Sequence, residues 1–339
     1  MTLRLSLARA PAAGTVAMAR QAVKPDPRTA ALRRFAVSIT ALTVVGHTLL
    51  GFEQAYATPV VAVLTAYSVE LLLETVEARA RGRPAKYAGS PMMLLDFLLP
   101  AHIAGLACAM LLYANSRLWP VVFAVTVAIC SKYVIRVRVS GRSRHVLNPS
   151  NVGIVVTLLL FPWVGIAPPY QFTEWVSGPV DWIIPAAVLA AGTMLNAKLT
   201  KKMPLIAGWL GGFALQAVVR TSVEHTATES ALLVMSGAAF VLFTNYMITD
   251  PGTTPTRPWR QAMFGLATAA AYGVLVYGHV VFGLFFSLAI VCAGRGVGLA
   301  ALSWWRRRTP RTADSHAPSP VPADPAHDPT SQQPALGRP

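Results

Sequence analysis

Apolar runs of about twenty residues recur along most of the chain, and they limit its fold more than any other feature. A run of this length crosses the hydrocarbon core of a bilayer as a helix. Of the 339 residues, 54% are hydrophobic and only 13% are charged, and the mean hydropathy is +0.50. A soluble domain carries about a quarter charged residues. The pattern therefore predicts an all-α polytopic membrane protein.

The apolar runs predict about ten transmembrane helices between two polar tails. Residues 1–33 form a basic N-terminal tail and residues 306–339 a Pro-rich C-terminal tail, and both compositions are typical of disorder. The transmembrane helical domain is predicted to be residues 34–305. The predicted spans are 34–52, 56–75, 92–113, 118–135, 152–166, 182–197, 204–220, 230–248, 262–277 and 279–303.

Basic residues alternate between successive loops. Loops after the even-numbered spans are basic, as in NAKLTKKMP, whereas loops after the odd-numbered spans are short or acidic, as in VEHTATES. Because Lys and Arg concentrate in cytoplasmic loops, both termini are predicted to lie in the cytoplasm. This distribution also accounts for the net charge of +15. Nucleic acid is not an expected partner, because no basic stripe alternates with stacking aromatics.

Two polar stretches on the predicted cytoplasmic side share a pattern. RHVLNPSNVGI and MITDPGTTP each place Asn or Asp directly before Pro, at the predicted mouth of a span. Such a pair is typical of a helix start, where the Asn or Asp caps free N–H groups and Pro takes the first helical position. Capping alone would explain both stretches.

A ligand site is the alternative interpretation of these two stretches. Spans five and six are predicted to be short, and short helices entered through Pro often lie beside ligands in membrane proteins. A helix N-terminus also favours an anion such as a phosphate. Asn245 is expected to line the same cavity. Asp250 would be either a helix cap or a functional carboxylate that balances Arg257 or holds a donor group of a ligand. The candidate cofactor- or substrate-binding residues are His145, Asn148, Pro149, Asn151, Asp250, Pro251, Thr253, Thr254 and Arg257.

The same stretches resemble the Asn-Pro and Thr-Asp-Pro signatures of the NqrB/RnfD family, and the NPSN variant is closest to its UnbU-like branch. The resemblance covers residues 35 to 303 and agrees with ten spans and two cytoplasmic termini. It implies a flavin-containing, ion-coupled electron-transfer subunit in a bacterial cytoplasmic membrane, beside other membrane or redox proteins. The UnbU-like branch implies a role in enediyne polyketide biosynthesis.

One stretch departs from the respiratory members of this family, which attach FMN through a phosphoester to a Thr at the outer entrance of a later span. The corresponding stretch here is EHTATESALLVMSGA, and Glu229 stands where the acceptor Thr is expected. A carboxylate cannot form that ester and repels a phosphate, so covalent FMN is not expected, with Thr228 as the only substitute acceptor. The resemblance then implies a flavin, FMN or riboflavin, held without a covalent bond.

Polar residues inside the predicted spans have structural and functional interpretations. Glu70 and Glu74 share a helix face, and either snorkelling or pairing with Arg79 explains them, the alternative being a cation or proton path. Asp96 is expected at a helix start, and His102 as a buried, hydrogen-bonded residue. The three cysteines have no paired spacing, so neither a disulfide nor a metal site is expected.

Two functions of different class remain open from the sequence. The first is a membrane redox or maturation component that transfers electrons to, or modifies, a lipophilic intermediate. The second is a channel or transporter for a small solute or the natural product, which would keep the fold without the electron transfer. The sequence leaves open whether the chain is an enzyme, because it contains no nucleophile triad or Walker loop motif.

Overall fold

The computed structural model describes residues 27–49, 51–139, 142–167, 178 and 183–308. Residues 1–26, residues 309–339 and the loop 168–182 except Gly178 lie outside these ranges, so the predicted disorder of those tail residues and the outward position of that loop stay predictions. Residues 27–33 and 306–308, which the sequence analysis places in the tails, are helical. The helices are α1 (Pro27–Thr48), α2 (Ala57–Ala80), α3 (Pro91–Leu111), α4 (Trp119–Val134), α5 (Pro149–Leu160), α6 (Ile183–Met194), α7 (Met203–Glu224), α8 (Thr228–Leu233), α9 (Ala238–Leu242), α10 (Pro258–Tyr277) and α11 (Gly283–Arg308).

Two small antiparallel sheets join helix ends in the described part of the chain. Strand β1 (Leu112–Tyr113) pairs with β4 (Gly165–Ile166), and β2 (Arg136–Val139) pairs with β3 (Arg142–His145). The β2–β3 hairpin connects α4 to α5 and places Arg136 opposite His145. This hairpin carries the polar stretch before α5 to one end of the helix bundle. We call that end, where α2, α4 and α11 finish and α3, α5, α7 and α10 begin, the basic end.

Within the described ranges, five helices are long and apolar enough to cross a bilayer, namely α1, α2, α3, α7 and α11. The arms Thr228–Ser236 and Ala239–Met247 meet at 64° and together would make a sixth span, so the predicted eighth span is a bent pair rather than one helix. Helices α4 and α5 are apolar but shorter. A helical segment occupies each of the ten predicted positions. These features indicate an all-α membrane protein.

Two helical segments continue into π-helix, a rare form that is often found at functional sites. Leu195–Thr200 follows α6 directly, and Phe243–Met247 follows α9. Helix α5 is 12 residues long, which agrees with the short fifth span expected from the sequence. Helix α6 also has 12 residues, but with its π-helical continuation the sixth segment runs from Ile183 to Thr200 and is not short.

The ten segments pack as two sets of five with a partly shared pattern of neighbours, since the contacts of α3 with α4 and α5 in the first half have no comparable counterpart in the second. In the first half α2 packs on α3 and α4, α4 on α5, and α1 on α3. In the second half α7 packs on α8 and α10, α10 on α11, and α6 on α9. Contacts of α5 with α11, and of α1 with the π-helical segment after α6, join the halves. An odd number of segments in each half would give the two halves opposite directions across a membrane.

Small residues allow a close helix approach between α7 and α10. A Cβ atom on Gly208 would lie 2.3 Å from the carbonyl oxygen of Ala262, and one on Gly265 would lie 2.4 Å from that of Leu205. Interfaces of this kind are typical of membrane helices, where association depends on close packing. Trp209 is fully buried beside them and donates from Nε1 to Thr244 Oγ1 at 2.9 Å.

Candidate functional site

The polar stretch before α5 forms a helix cap, as predicted. Asn148 takes the N-cap position in extended conformation, with Pro149 next. Its Oδ1 accepts from the backbone N–H of Asn151 at 3.1 Å and from Ser150 Oγ at 2.9 Å. The cap satisfies N–H groups that a helix start otherwise leaves without partners.

The second stretch does not begin a helix, so that prediction is wrong. Asp250 closes a tight turn in which Oδ1 accepts from the N–H of Gly252 at 3.0 Å and Oδ2 from Thr253 Oγ1 at 2.9 Å. Thr254 Oγ1 donates to the carbonyl of Asp250 at 2.6 Å. Helix α10 begins only at Pro258. The physical reason is the recurrence of Pro, because each Pro disfavours helical geometry at the residue before it.

The turn Asp250–Thr254 and the start of α5 nevertheless lie against each other. Asn148 Nδ2 donates to the carbonyl of Met247 at 3.1 Å. A Cβ atom on Gly252 would lie 2.7 Å from His145 Nε2, so only a glycine allows the turn to approach this ring. Segments about one hundred residues apart in sequence thus form one polar cluster at the basic end.

Two cations that the sequence analysis did not single out hold this turn. Lys202 Nζ donates to the carbonyl of Pro255 at 2.7 Å, and Arg295 Nη1 donates to that of Thr253 at 2.6 Å. Arg295 interrupts an apolar run, and a cation inside a span is itself a functional signal. Lys202 has no comparable signal. Arg257 is exposed and forms no salt bridge with Asp250, which corrects the expected pairing.

Burial changes the proton affinity of two basic groups in the cluster. It lowers the pKa of His145, although the nearby Asp250 carboxylate acts in the opposite direction. It also lowers the pKa of Lys202 to about 8, again against the raising effect of Asp250. Desolvation penalises the charged form of each group. His145 is therefore neutral and able to donate from one ring nitrogen at neutral pH.

Asn151 lies behind the cap, buried to 1% exposure. Its Nδ2 donates to the carbonyl of Phe285 at 3.0 Å, which ties the start of α5 to the start of α11. Its Oδ1 is buried and has no hydrogen-bond partner among the described residues. A buried acceptor without a donor is unfavourable, so a ligand's N–H group would stabilise this oxygen. Gln261 Oε1, in the first turn of α10, is likewise buried without a partner among the described residues.

The π-helical segments meet through a second pair of asparagines. Asn196 Nδ2 donates to the carbonyl of Asn245 at 2.8 Å, and the turn of α6 before it approaches so closely that a Cβ on Gly192 would lie 2.6 Å from the side chain of Asn245. Asn245 is buried, and its side chain donates to the carbonyl of Val241 in its own segment. Its backbone carbonyl, which accepts from Asn196, is what joins the two segments here.

The intramembrane acids are paired, but not as predicted. Glu70 binds Lys132 Nζ at 2.6 Å and Tyr133 at 3.0 Å. Glu74 binds Arg83 at 2.6 Å and Lys86 at 3.0 Å, rather than Arg79. The chain bends back after α2, so the loop that follows supplies Arg83 and Lys86, the two cations bound to Glu74.

Two polar residues of α3 have different outcomes: Asp96 does not have the role expected for it, whereas His102 does. The cap of this helix is Ser90, not Asp96, which instead forms a two-point ion pair with Arg33 at 2.7 and 2.9 Å. His102 is hydrogen-bonded as expected, between Thr40 Oγ1 at 2.7 Å and Tyr67 OH at 2.8 Å.

The doubtful flavin acceptor lies at the opposite end of the bundle. Thr228 Oγ1 is 2.8 Å from Thr221 Oγ1, and Glu229 is exposed beside it. A cavity of about 660 Å³ opens nearby. Its lining residues are Arg220, Glu224, Thr226, Val276, Tyr277 and His279.

Comparison with protein-family models and with curated proteins finds no match to this chain.

Proposed function

We propose that the chain spans a bacterial cytoplasmic membrane ten times, with both termini and the basic end in the cytoplasm. The alternation of loop charge supports this orientation, as does the partly shared packing of two five-segment halves. Thiol labelling tests it with two exposed positions, Ser116→Cys beyond α3 and Ala88→Cys before it. An impermeant reagent should reach Ser116→Cys in intact cells and Ala88→Cys only after lysis. The reverse result would overturn the orientation.

We propose that the cluster at the basic end binds a flavin, FMN or riboflavin, without a covalent bond, within a membrane redox or maturation component. The observation that carries this proposal is the meeting of the α5 start and the Asp250 turn around a buried acceptor that lacks a donor, Asn151 Oδ1. By its resemblance to the UnbU-like branch of the NqrB/RnfD family, we place the component in enediyne biosynthesis, acting on a lipophilic intermediate with other membrane proteins.

The residues present fit a flavin ring, whose polar edge carries an N–H donor beside carbonyl acceptors. Asn151 Oδ1 would accept from the N–H, and neutral His145 would donate to a carbonyl. Asp250, Thr253 and Thr254 are bonded within their own turn, so their role is to fix the loop. Lys202 and Arg295 anchor that loop through its carbonyls. A bound flavin supplies one- and two-electron transfer; electrons would have to reach it from another protein.

The visible spectrum of the purified full chain tests this proposal. We expect a flavin absorbance, and we expect acid precipitation to release the flavin into the supernatant. A colourless protein that takes up no added flavin would contradict the proposal. A fluorescent band on a denaturing gel that disappears in Thr228→Ala would instead show covalent attachment at the opposite end.

Transport is the second candidate function. The bent pair at 64°, the two π-helical segments and the repeated five-segment halves favour it, because broken helices between inverted repeats form the substrate sites of many transporters. A colourless protein whose reconstituted vesicles take up a solute would support this function.

A further inference from the structure

The cavity of about 660 Å³ lies at the end of the bundle opposite the basic end. Cavities of this size are typical of sites that hold small molecules. Its lining comes from the last turns of α7 and α10 and from the loops that follow these two helices. The lining residues are Arg220, Glu224, Thr226, Val276, Tyr277 and His279. The cavity is therefore formed where two neighbouring helices finish side by side.

Both helix ends close on themselves, which leaves this cavity uncovered. His225 ends α7 in the left-handed conformation, with its N–H bonded to the carbonyl of Thr221. His279 takes the same conformation after α10, and its N–H donates to the carbonyl of Val276 at 2.9 Å. Such helix ends are compact, and the loop 225–227 that follows α7 is short. After α2, by contrast, the longer loop 81–90 folds back onto its own helix.

One ion pair forms the polar wall of the cavity. Arg220 Nη1 donates to Glu224 Oε2 at 2.9 Å, and both side chains are partly buried. The contact uses one oxygen of the carboxylate, and Glu224 Oε1 accepts no hydrogen bond from the described residues. This oxygen is therefore able to accept from a ligand.

Arg220 also carries a donor that the chain does not satisfy. Its Nε is buried and has no hydrogen-bond partner among the described residues. One turn earlier on α7, Gln216 Oε1 is in the same state, and a Cβ atom on Gly273 of α10 would lie 3.0 Å from it. Buried polar atoms without partners are unfavourable. An edge of a guanidinium binds two oxygens of a carboxylate or a phosphate, so Arg220 is suited to hold such a group.

Charge balance decides which kind of ligand fits. An anion bound to Arg220 would also lie close to the carboxylate of Glu224, and like charges repel. A ligand with an ammonium beside its anionic group avoids this repulsion, because the ammonium donates to Glu224 while the anionic group accepts from Arg220. Val276 and Tyr277 provide an apolar wall for the rest of such a molecule.

We propose that this cavity binds a zwitterionic group, in which a primary ammonium lies beside a carboxylate or a phosphate. The group could belong to a free amino acid or to the headgroup of phosphatidylethanolamine, since the chemistry recognised is the same. The proposal goes beyond the flavin site, because the cavity lies at the opposite end of the bundle. Its test needs no flavin, so it fails or succeeds whatever the visible spectrum shows.

Leucine and dihexanoyl phosphatidylethanolamine are the two probes. Each is added to the full chain in non-ionic detergent, and the melting temperature is followed. We expect a saturable rise with at least one of them. Isocaproate, which is leucine without the ammonium, and isoamylamine, which is leucine without the carboxylate, should not reproduce the effect of leucine. Dihexanoyl phosphatidylcholine has no N–H on its ammonium, so it should not reproduce the effect of the phosphatidylethanolamine.

Three substitutions locate the binding. Arg220→Gln and Glu224→Gln should each weaken the affinity for the responding probe by about tenfold or more, since each removes a charged hydrogen-bond partner. Val276→Phe should also weaken it, by filling the cavity while the ion pair stays in place. Arg81→Gln is the matched control, because Arg81 and Glu77 form a pair of the same helical spacing and the same 2.9 Å distance at the basic end. It should leave the affinity unchanged.

The two probes also distinguish the source of the group. A response to leucine alone identifies a soluble ligand, and a response to the phosphatidylethanolamine alone identifies a lipid headgroup. If both respond, the tighter probe identifies the source. The proposal is overturned if neither probe gives a saturable rise, or if isocaproate, isoamylamine or the phosphatidylcholine matches its zwitterionic counterpart. Equal weakening by Arg81→Gln and by the cavity variants would overturn it as well.

Discussion

Asn148 performs two separable tasks, and substitution can measure each. Its Oδ1 caps α5, and its Nδ2 ties that cap to the carbonyl of Met247. Loss of an N-cap side chain costs about 1 kcal/mol. Loss of the tie removes one of two donors to the carbonyl of Met247, which also accepts from the N–H of Asp250 at 3.4 Å, and costs about 0.5–1.5 kcal/mol. Asn148→Ala should therefore destabilise the protein by about 1.5–2.5 kcal/mol, the sum of the two terms.

Asn148→Ser separates these terms, because Ser caps a helix nearly as well as Asn but is too short to reach Met247. It should lose only the tie and unfold between the unmodified chain and Asn148→Ala. Ser90 provides a matched control, since its Oγ caps the exposed start of α3 at 3.3 Å with no second bond. Ser90→Ala should cost about 1 kcal/mol or less.

The assay is thermal unfolding of the purified full chains in one detergent, compared by melting temperature. The expected order, from most to least stable, is unmodified chain, Ser90→Ala, Asn148→Ser and Asn148→Ala. If Asn148→Ser has the same melting temperature as the unmodified chain, the bond to Met247 contributes nothing to stability. The start of α5 and the Asp250 turn would then be adjacent without stabilising each other. If Asn148→Ala lowers the melting temperature no more than Ser90→Ala does, the free-energy costs assigned to the cap and to the bond with Met247 are both too large.

Three further changes test packing, charge and pH dependence. Gly208→Ala should cost about 1–3 kcal/mol, because its Cβ would lie 2.3 Å from a backbone carbonyl oxygen of α10. The control Gly211→Ala adds a Cβ that has nothing within 4 Å, so it should be neutral or stabilising. Equal melting temperatures for the two variants would contradict the close packing. Lys132→Met should cost about 3–5 kcal/mol by leaving Glu70 buried without its cation, and adding Glu70→Gln should restore much of the loss, measured by the same melts. Burial lowers the pKa of His145 in the folded chain, so His145 does not affect stability above about pH 6.5, and the free energy of unfolding falls as the pH drops from there toward the folded pKa. His145→Gln should flatten that part of the plot of melting temperature against pH. An unchanged plot would refute the lowered pKa of His145.

The sequence predicted the helical segments well, because length and apolarity are properties of a local run. It also predicted the cap at Asn148, since Asn before Pro is a local signal for a helix start. Asp250 before Pro carried the same local signal and gave a turn instead. What decided the outcome was the row of prolines that follows, up to Pro258, together with anchoring by Lys202 and Arg295 from two distant helices.

Pairings between distant segments could not be read from the sequence in the same way. The sequence suggests snorkelling or pairing with Arg79 for Glu70 and Glu74, yet the loop after α2 folds back and brings Arg83 and Lys86 to Glu74. Asp96 was assigned to a cap that Ser90 makes, and its partner Arg33 comes from α1. Such contacts depend on how helices cross, and that is set by packing rather than by any short motif.

Titration of the flavin-free full chain with riboflavin tests the central claim most directly, since the claim places an unpaired Asn151 acceptor at a flavin ring. Quenching of riboflavin fluorescence should saturate for the unmodified chain. Asn151→Ala should weaken binding by about tenfold or more, because the acceptor is lost. Asn196→Ala, which removes an equally buried asparagine between the π-helical segments, should bind as the unmodified chain does. Absence of binding to the unmodified chain, or equal weakening by the two substitutions, would contradict a flavin site at the start of α5.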